Sequence, residues 1–405
     1  MSKHRVMVKK LYCLISAVVI LTCSISVFAM VPLDAEVTVD NIMEYANEYD
    51  PDGAFILQKA IDSRDKILRW YSEDQSILEG YDTAVHEECH HFTTSLFWTD
   101  LQYYIGDGES IKVKEGKVYD TVKMAREIPE ELRTFRYDDY IGEKALKDMT
   151  SRKQGAYGLL DEYIAYSWGM NAVVKMYAYL DDADADPDIW KDSYLESGYS
   201  NMIAQAEFDF WILRYLIYAK ENEPSVYKAT LKNKDFIRAY LISRERYQRQ
   251  VLEYRQSLPD VADLLVDKGY DVAINGNYFY IRSDDGLKYA PKLVDEQQEM
   301  LEEEIKKPEY QEMLQELESA DEGTYEPDEK DAAAEEDAAS DSDENDEDES
   351  PSDDDHPDGI LQQIWNFIKA LPDIVIGFFK SASELIKPVI DFFKSLWSTV
   401  TDVFS

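Results

Sequence analysis

The chain is poor in cysteine, in histidine and in positive charge. Its 405 residues hold three cysteines, five histidines and 42 Lys and Arg against 83 Asp and Glu, for a formal charge of −41. Cys13 and Cys23 lie in the amino-terminal apolar run, so a chain processed after that run keeps Cys89 alone. That leaves no intramolecular disulfide, and stability must come from packing. The shortage of basic residues excludes a nucleic-acid-binding role, because no basic footprint is available to neutralise phosphates. The acidity is also concentrated: Asp321 to Asp358 holds 20 Asp and Glu against one Lys.

Histidine is scarce but not scattered. Three of the five fall in Thr83-Ala84-Val85-His86-Glu87-Glu88-Cys89-His90-His91-Phe92. His86 and His90 have the H-E-x-x-H spacing. Helical residues four apart are offset by only about 40°, so both imidazoles leave one face and can share one Zn²⁺. Glu87 stands beside them, where a carboxylate can take a proton from a zinc-bound water. Val85, Cys89, Phe92 and Leu96 form an adjacent apolar stripe, which makes Cys89 a core residue rather than a ligand. His91 points about 100° away from His90 and is not counted as a ligand.

The remaining pattern is mainly α with short hairpins, an α+β chain. Residues 1–29 read as a secretory signal, with a basic start, an apolar run from Leu11 to Ile25 and small or modest residues ahead of a cleavage site after Ala29. Helical periodicity covers Asp34 to Tyr71, broken at Pro51-Asp52-Gly53, and a helix from about Asp82 to Tyr104 bears the histidines. Ser110 to Val122 reads as a hairpin turning at Glu115-Gly116. Further helices are expected at Gln154–Leu180, Tyr199–Ala219 and Ser225–Gln256, with Pro259 as punctuation, then a hairpin at Asn275-Gly276 and a last helix from about Leu293 to Leu317. The alternating aspartates from Asp181 to Asp188 read as a solvated loop, since Pro187 sits where a calcium loop needs glycine.

Two carboxylates on the Gln154–Leu180 helix stand beside its apolar stripe, in Leu159-Leu160-Asp161-Glu162-Tyr163-Ile164-Ala165-Tyr166. A carboxylate in so apolar a setting is normally paired or metal-bound. Glu162 is the candidate third ligand and Asp161 its rival. Together with the first motif, this segment resembles the gluzincin group of zincin metallopeptidases, over about 80 residues. The resemblance implies His86, His90 and Glu162 as zinc ligands, Glu87 as general base and a peptide or protein as substrate. Such chemistry also needs an oxyanion stabiliser; Tyr166 ranks first and Tyr157 second, because both lie near the candidate ligand and a phenol donates a hydrogen bond at neutral pH.

The domain plan is thus a signal at 1–29, a zincin-like domain at 30–318, an extended acidic linker at 319–359 and an amphipathic helical tail at 360–405. The linker has too few apolar residues to offset chain entropy. The tail carries Leu361, Ile364, Trp365, Ile368 and further apolar residues on one stripe to Phe404, with balanced Lys and Asp/Glu and no uncharged run long enough to span a bilayer. It suits either a membrane or cell surface, or self-association. The expected function is that of a secreted bacterial zinc metallopeptidase; the alternative is a non-enzymatic surface protein whose working part is the tail.

Overall fold

A computed structural model describes residues 30–324, apart from 60–63, 73–74, 96–99, 284–285, 290–291 and 293–294. The expected signal, Leu96, the tail and all but the first residues of the expected linker lie outside the described residues.

The fold is mainly helical with two small antiparallel sheets. Helix α1 (Val39–Tyr49) starts at Thr38, whose side chain accepts from the Asn41 amide. The expected break at Pro51 is instead a restart. Asp50 ends α1 and caps α2 (Pro51–Lys59) by accepting from the Gly53 amide at 3.1 Å, with Pro51 in the first turn, where its missing N–H costs nothing. A 3₁₀ turn (Arg64–Trp70) leads to α3 (Tyr81–Thr93), the histidine helix.

The histidine helix is shorter than its sequence suggests. Thr93 and Thr94 turn their hydroxyls back onto the Cys89 and His90 carbonyls, and the helix stops there. The Leu101 to Gly106 stretch is not helical. Strand β1 (Asp100–Gly106) pairs with β2 (Glu109–Lys114) around Gly106-Asp107-Gly108, all three at positive φ. The first hairpin therefore turns at those glycines and not at Glu115-Gly116. Glycine's freedom at positive φ decides the turn.

Helix α4 (Ala156–Asp182) is the centre of the fold. It is buried on nearly every side and packs against α3, against α5 (Glu196–Asn222) and against α7 (Lys234–Asp267). Helix α6 (Pro224–Lys232) precedes α7, and the two are separated by Asn233, whose side chain caps α7. Helix α7 runs straight through Pro259, which the sequence suggested as a break. Strands β3 (Asp271–Asn275), β4 (Tyr278–Ser283) and β5 (Gly286–Tyr289) form the second sheet; the expected hairpin is there, but Asn275 is paired with Tyr278 and the turn is Gly276-Asn277, one residue beyond the expected Asn275-Gly276. The expected last helix is two, α8 (Glu296–Ile305) and α9 (Pro308–Glu322), divided where Pro308 begins a new first turn. Helix α9 continues past the expected start of the linker at residue 319 and closes on Gly323 at positive φ.

Tyrosine holds much of this core together. Tyr103 donates to the Tyr157 carbonyl at 2.9 Å and Tyr119 to the Tyr215 carbonyl at 2.8 Å, so each ring is buried without stranding its hydroxyl.

Candidate metal centre

Helix α3 brings His86 and His90 to one side, one turn apart, and α4 crosses that side with its second turn. Three atoms converge there. His86 Nε2 and His90 Nε2 are 3.2 Å apart, His90 Nε2 and Glu162 Oε2 are 3.4 Å apart, and His86 Nε2 and Glu162 Oε2 are 3.9 Å apart. Ligands about 2.1 Å from a tetrahedral ion stand roughly 3.4 Å from one another, so two imidazoles and a carboxylate at these separations could hold one metal ion. Two imidazole nitrogens this close cannot both carry a proton, so at least one of them presents a lone pair to the other.

The two candidate carboxylates, Asp161 and Glu162, meet His90 from different sides. Glu162 supplies the third converging atom. Asp161 stands behind His90, with its Oδ2 2.7 Å from Nδ1. The carboxylate at Nδ1 fixes that nitrogen's proton, so a metal entering the cluster would displace the proton on Nε2 and take up its lone pair, the arrangement that orients a metal-ligating histidine.

The electrostatics follow the same division. Burial disfavours charge on His86, and the neighbouring His90 and Arg136 push its pKa further below the ordinary value. Burial also works against a charged His90, but Asp161 and Glu162 overcome it and hold that imidazole well above the ordinary value. Glu87 is half-buried beside the cluster. Burial raises its carboxyl above the usual range, while His90 draws it down and Glu162 pushes it up.

The other residues of the motif serve the core or the opposite face. Cys89 is buried and free, and burial pushes its thiol up to about 12, in keeping with a small core residue. Val85 and Phe92 are buried beside it. Glu88 turns away from the cluster to accept from Trp70 Nε1 at 2.7 Å and Arg69 at 3.3 Å. His91 is exposed and lies against Arg69.

Tyr166 reaches the site through its ring, which meets the His86 ring edge-on with centroids 4.3 Å apart. Its hydroxyl accepts from Arg136 Nε at 3.2 Å and shares a 2.8 Å hydrogen bond with Tyr140. Tyr157 is elsewhere, bonded to Asn233. Arg136 and Tyr140 were not expected here. Arg136 is buried and clamped by Glu207 at 2.7 Å and by Ser200. Neither carries a sequence signal, because the segment around Tyr137–Tyr140 is one short turn with no periodicity to read.

The chain matches no protein-family description, no curated protein and no solved structure.

Proposed function

We propose that the chain is a zinc-dependent peptide hydrolase, with His86, His90 and Glu162 as ligands and Glu87 as general base. The observation that carries this reading is the convergence of His86 Nε2, His90 Nε2 and Glu162 Oε2 from two packed helices, with Glu87 on the turn between the histidines. Bound zinc supplies Lewis acidity, which polarises a carbonyl and acidifies a water. The chain's own residues supply positioning and proton transfer. Asp161 keeps the His90 ring oriented through Nδ1. Glu87 takes the proton from the attacking water and returns it to the departing amine. Tyr166, tied to Arg136 and Tyr140, forms the wall beside His86 and is the candidate oxyanion donor. Secretion is part of the same reading and rests on the amino-terminal sequence alone.

The test has two readings. Purified protein carries close to one zinc per chain, and His86→Ala loses it. Glu87→Gln keeps the zinc but lowers cleavage of an unfolded protein substrate by at least about a hundredfold. Zinc-free wild type that His86→Ala does not alter removes the metal site. A Glu87→Gln protein that cleaves like wild type removes the general base.

A further inference from the structure

A cavity of about 290 Å³ lies where α5, α7, α8 and the start of α9 meet. None of its lining residues belongs to the metal cluster. One face of α7 forms a wall, because Arg244, Gln248, Val251, Leu252 and Arg255 recur at three- and four-residue steps. Across from it stand Ala206 of α5 and Ile305 of α8. Ala206, Val251 and Ile305 are buried, while Leu252 is 54% exposed at the rim. The volume is that of a small-ligand pocket.

The charges around it are unequally engaged. Three cations and two carboxylates line the cavity: Arg244, Arg255 and Lys306 against Asp209 and Glu302. Both carboxylates are already paired. Asp209 is fully buried and accepts from the Tyr240 hydroxyl and, at 3.0 Å on each oxygen, from Arg244 Nε. Glu302 accepts from Arg255 Nη2 at 3.1 Å. Arg244 spends only Nε on Asp209. Its Nη1 and Nη2 have no partner among the described residues. Asp209 thus fixes the guanidinium from one edge and leaves its terminal pair of nitrogens open, and that pair can grip a carboxylate with two parallel N–H groups.

The chemistry of the lining selects a ligand. With both carboxylates paired, no acidic group is left for a metal or an ammonium. An inorganic anion would use the guanidinium and leave the apolar wall unused. A molecule with a carboxylate head and an apolar body uses both. We propose that this cavity binds one small organic monocarboxylate, its head on Arg244 Nη1 and Nη2 and its body along Val251, Leu252 and Ile305. The one positive charge in excess among the lining residues favours that sign locally, on a chain whose net charge of −41 opposes it elsewhere. The site does not depend on the peptidase reading.

Calorimetric titration of full-length protein with sodium octanoate at constant ionic strength tests this. Binding saturates at one octanoate per chain. Each methylene removed from the probe weakens it about two- to fourfold. Octanol, with the same body and no charge, binds at least about tenfold more weakly. Arg244→Gln abolishes octanoate binding. Should that variant fail to fold, because it strands the Asp209 carboxylate, Leu252→Glu decides. Position 252 is exposed, so the fold is kept, and a carboxylate on the rim raises the half-saturating concentration at least about tenfold. Wild type that takes up no octanoate, octanol that binds as well as octanoate, or a Leu252→Glu protein that binds like wild type overturns the proposal. Octanoate binding that disappears in His86→Ala places the carboxylate at the metal centre and overturns it as well.

Discussion

Asp161 Oδ2 stands 2.7 Å from His90 Nδ1, one residue from the carboxylate that converges with the two histidines. Neighbouring residues on one helix thus take different tasks: Glu162 faces the inner atom of the imidazole and Asp161 the outer one. Asp161→Asn keeps an acceptor in place but removes its charge. We expect zinc affinity, measured by chelator competition, to fall about tenfold, and Glu162→Ala to lose more. Equal losses in the two would mean that Asp161 is itself a ligand.

Arg136 and Glu207 form a buried ion pair at 2.7 Å behind Tyr166. Removing one partner strands a buried charge, so Arg136→Met should lower stability by about 3–5 kcal/mol in urea unfolding. Adding Glu207→Gln to it should restore part of that loss. If the double variant loses the full sum of two independent single losses, the pair is not coupled.

Asp50 is buried and accepts from Gly53, Tyr81 and Asn171. Burial raises its carboxyl from the usual 3.8 to about 6, against the pull of those donors. In the native state it therefore holds a proton that the unfolded chain has released. This favours folding below about pH 4 and is lost as pH rises through 6. Relative to Asp50→Asn, wild type should lose up to about 3 kcal/mol between pH 4 and pH 7. A difference that stays flat over that range, in urea titrations at each pH, would show that Asp50 is not desolvated.

Gly158 lies in the first turn of α4, where a Cβ would overlap the Thr150 carbonyl oxygen and the Ser151 amide. Neither is the end of a flexible side chain, so the overlap cannot be relieved by a rotamer change. Gly158→Ala should cost about 1–3 kcal/mol despite the higher helix propensity of alanine. A stabilised variant would mean that the Thr150–Lys153 turn yields readily.

What the sequence made legible was whatever sat in a short window. The His86/His90 face, the Cys89 stripe, the length of α4 and the hairpin that turns at Gly276 are each written within a few residues and depend on local periodicity or turn chemistry. The misreadings arose where tertiary contacts outvoted the local pattern. Apolar and aromatic residues on either side of Thr93 extended the apparent histidine helix to Tyr104, yet the threonine hydroxyls end it and Tyr103 enters a strand to reach the Tyr157 carbonyl. Pro259 sits inside a continuous helix. Arg136, Tyr140 and Arg244 could not be found beforehand, since their roles depend on partners 26 to 71 residues away in the chain.

Both cluster-bearing helices are also the packing centre: α4 supplies Glu162 and is the element around which α3, α5 and α7 assemble. An ion that bridges α3 to α4 therefore draws free energy from the same contact that holds the domain together, and ligation and folding become one linked equilibrium. Each factor of ten in free metal above the dissociation constant adds about 1.4 kcal/mol to the native state. For a chain without a disulfide in its described residues, the availability of such an ion would then set how long the fold survives.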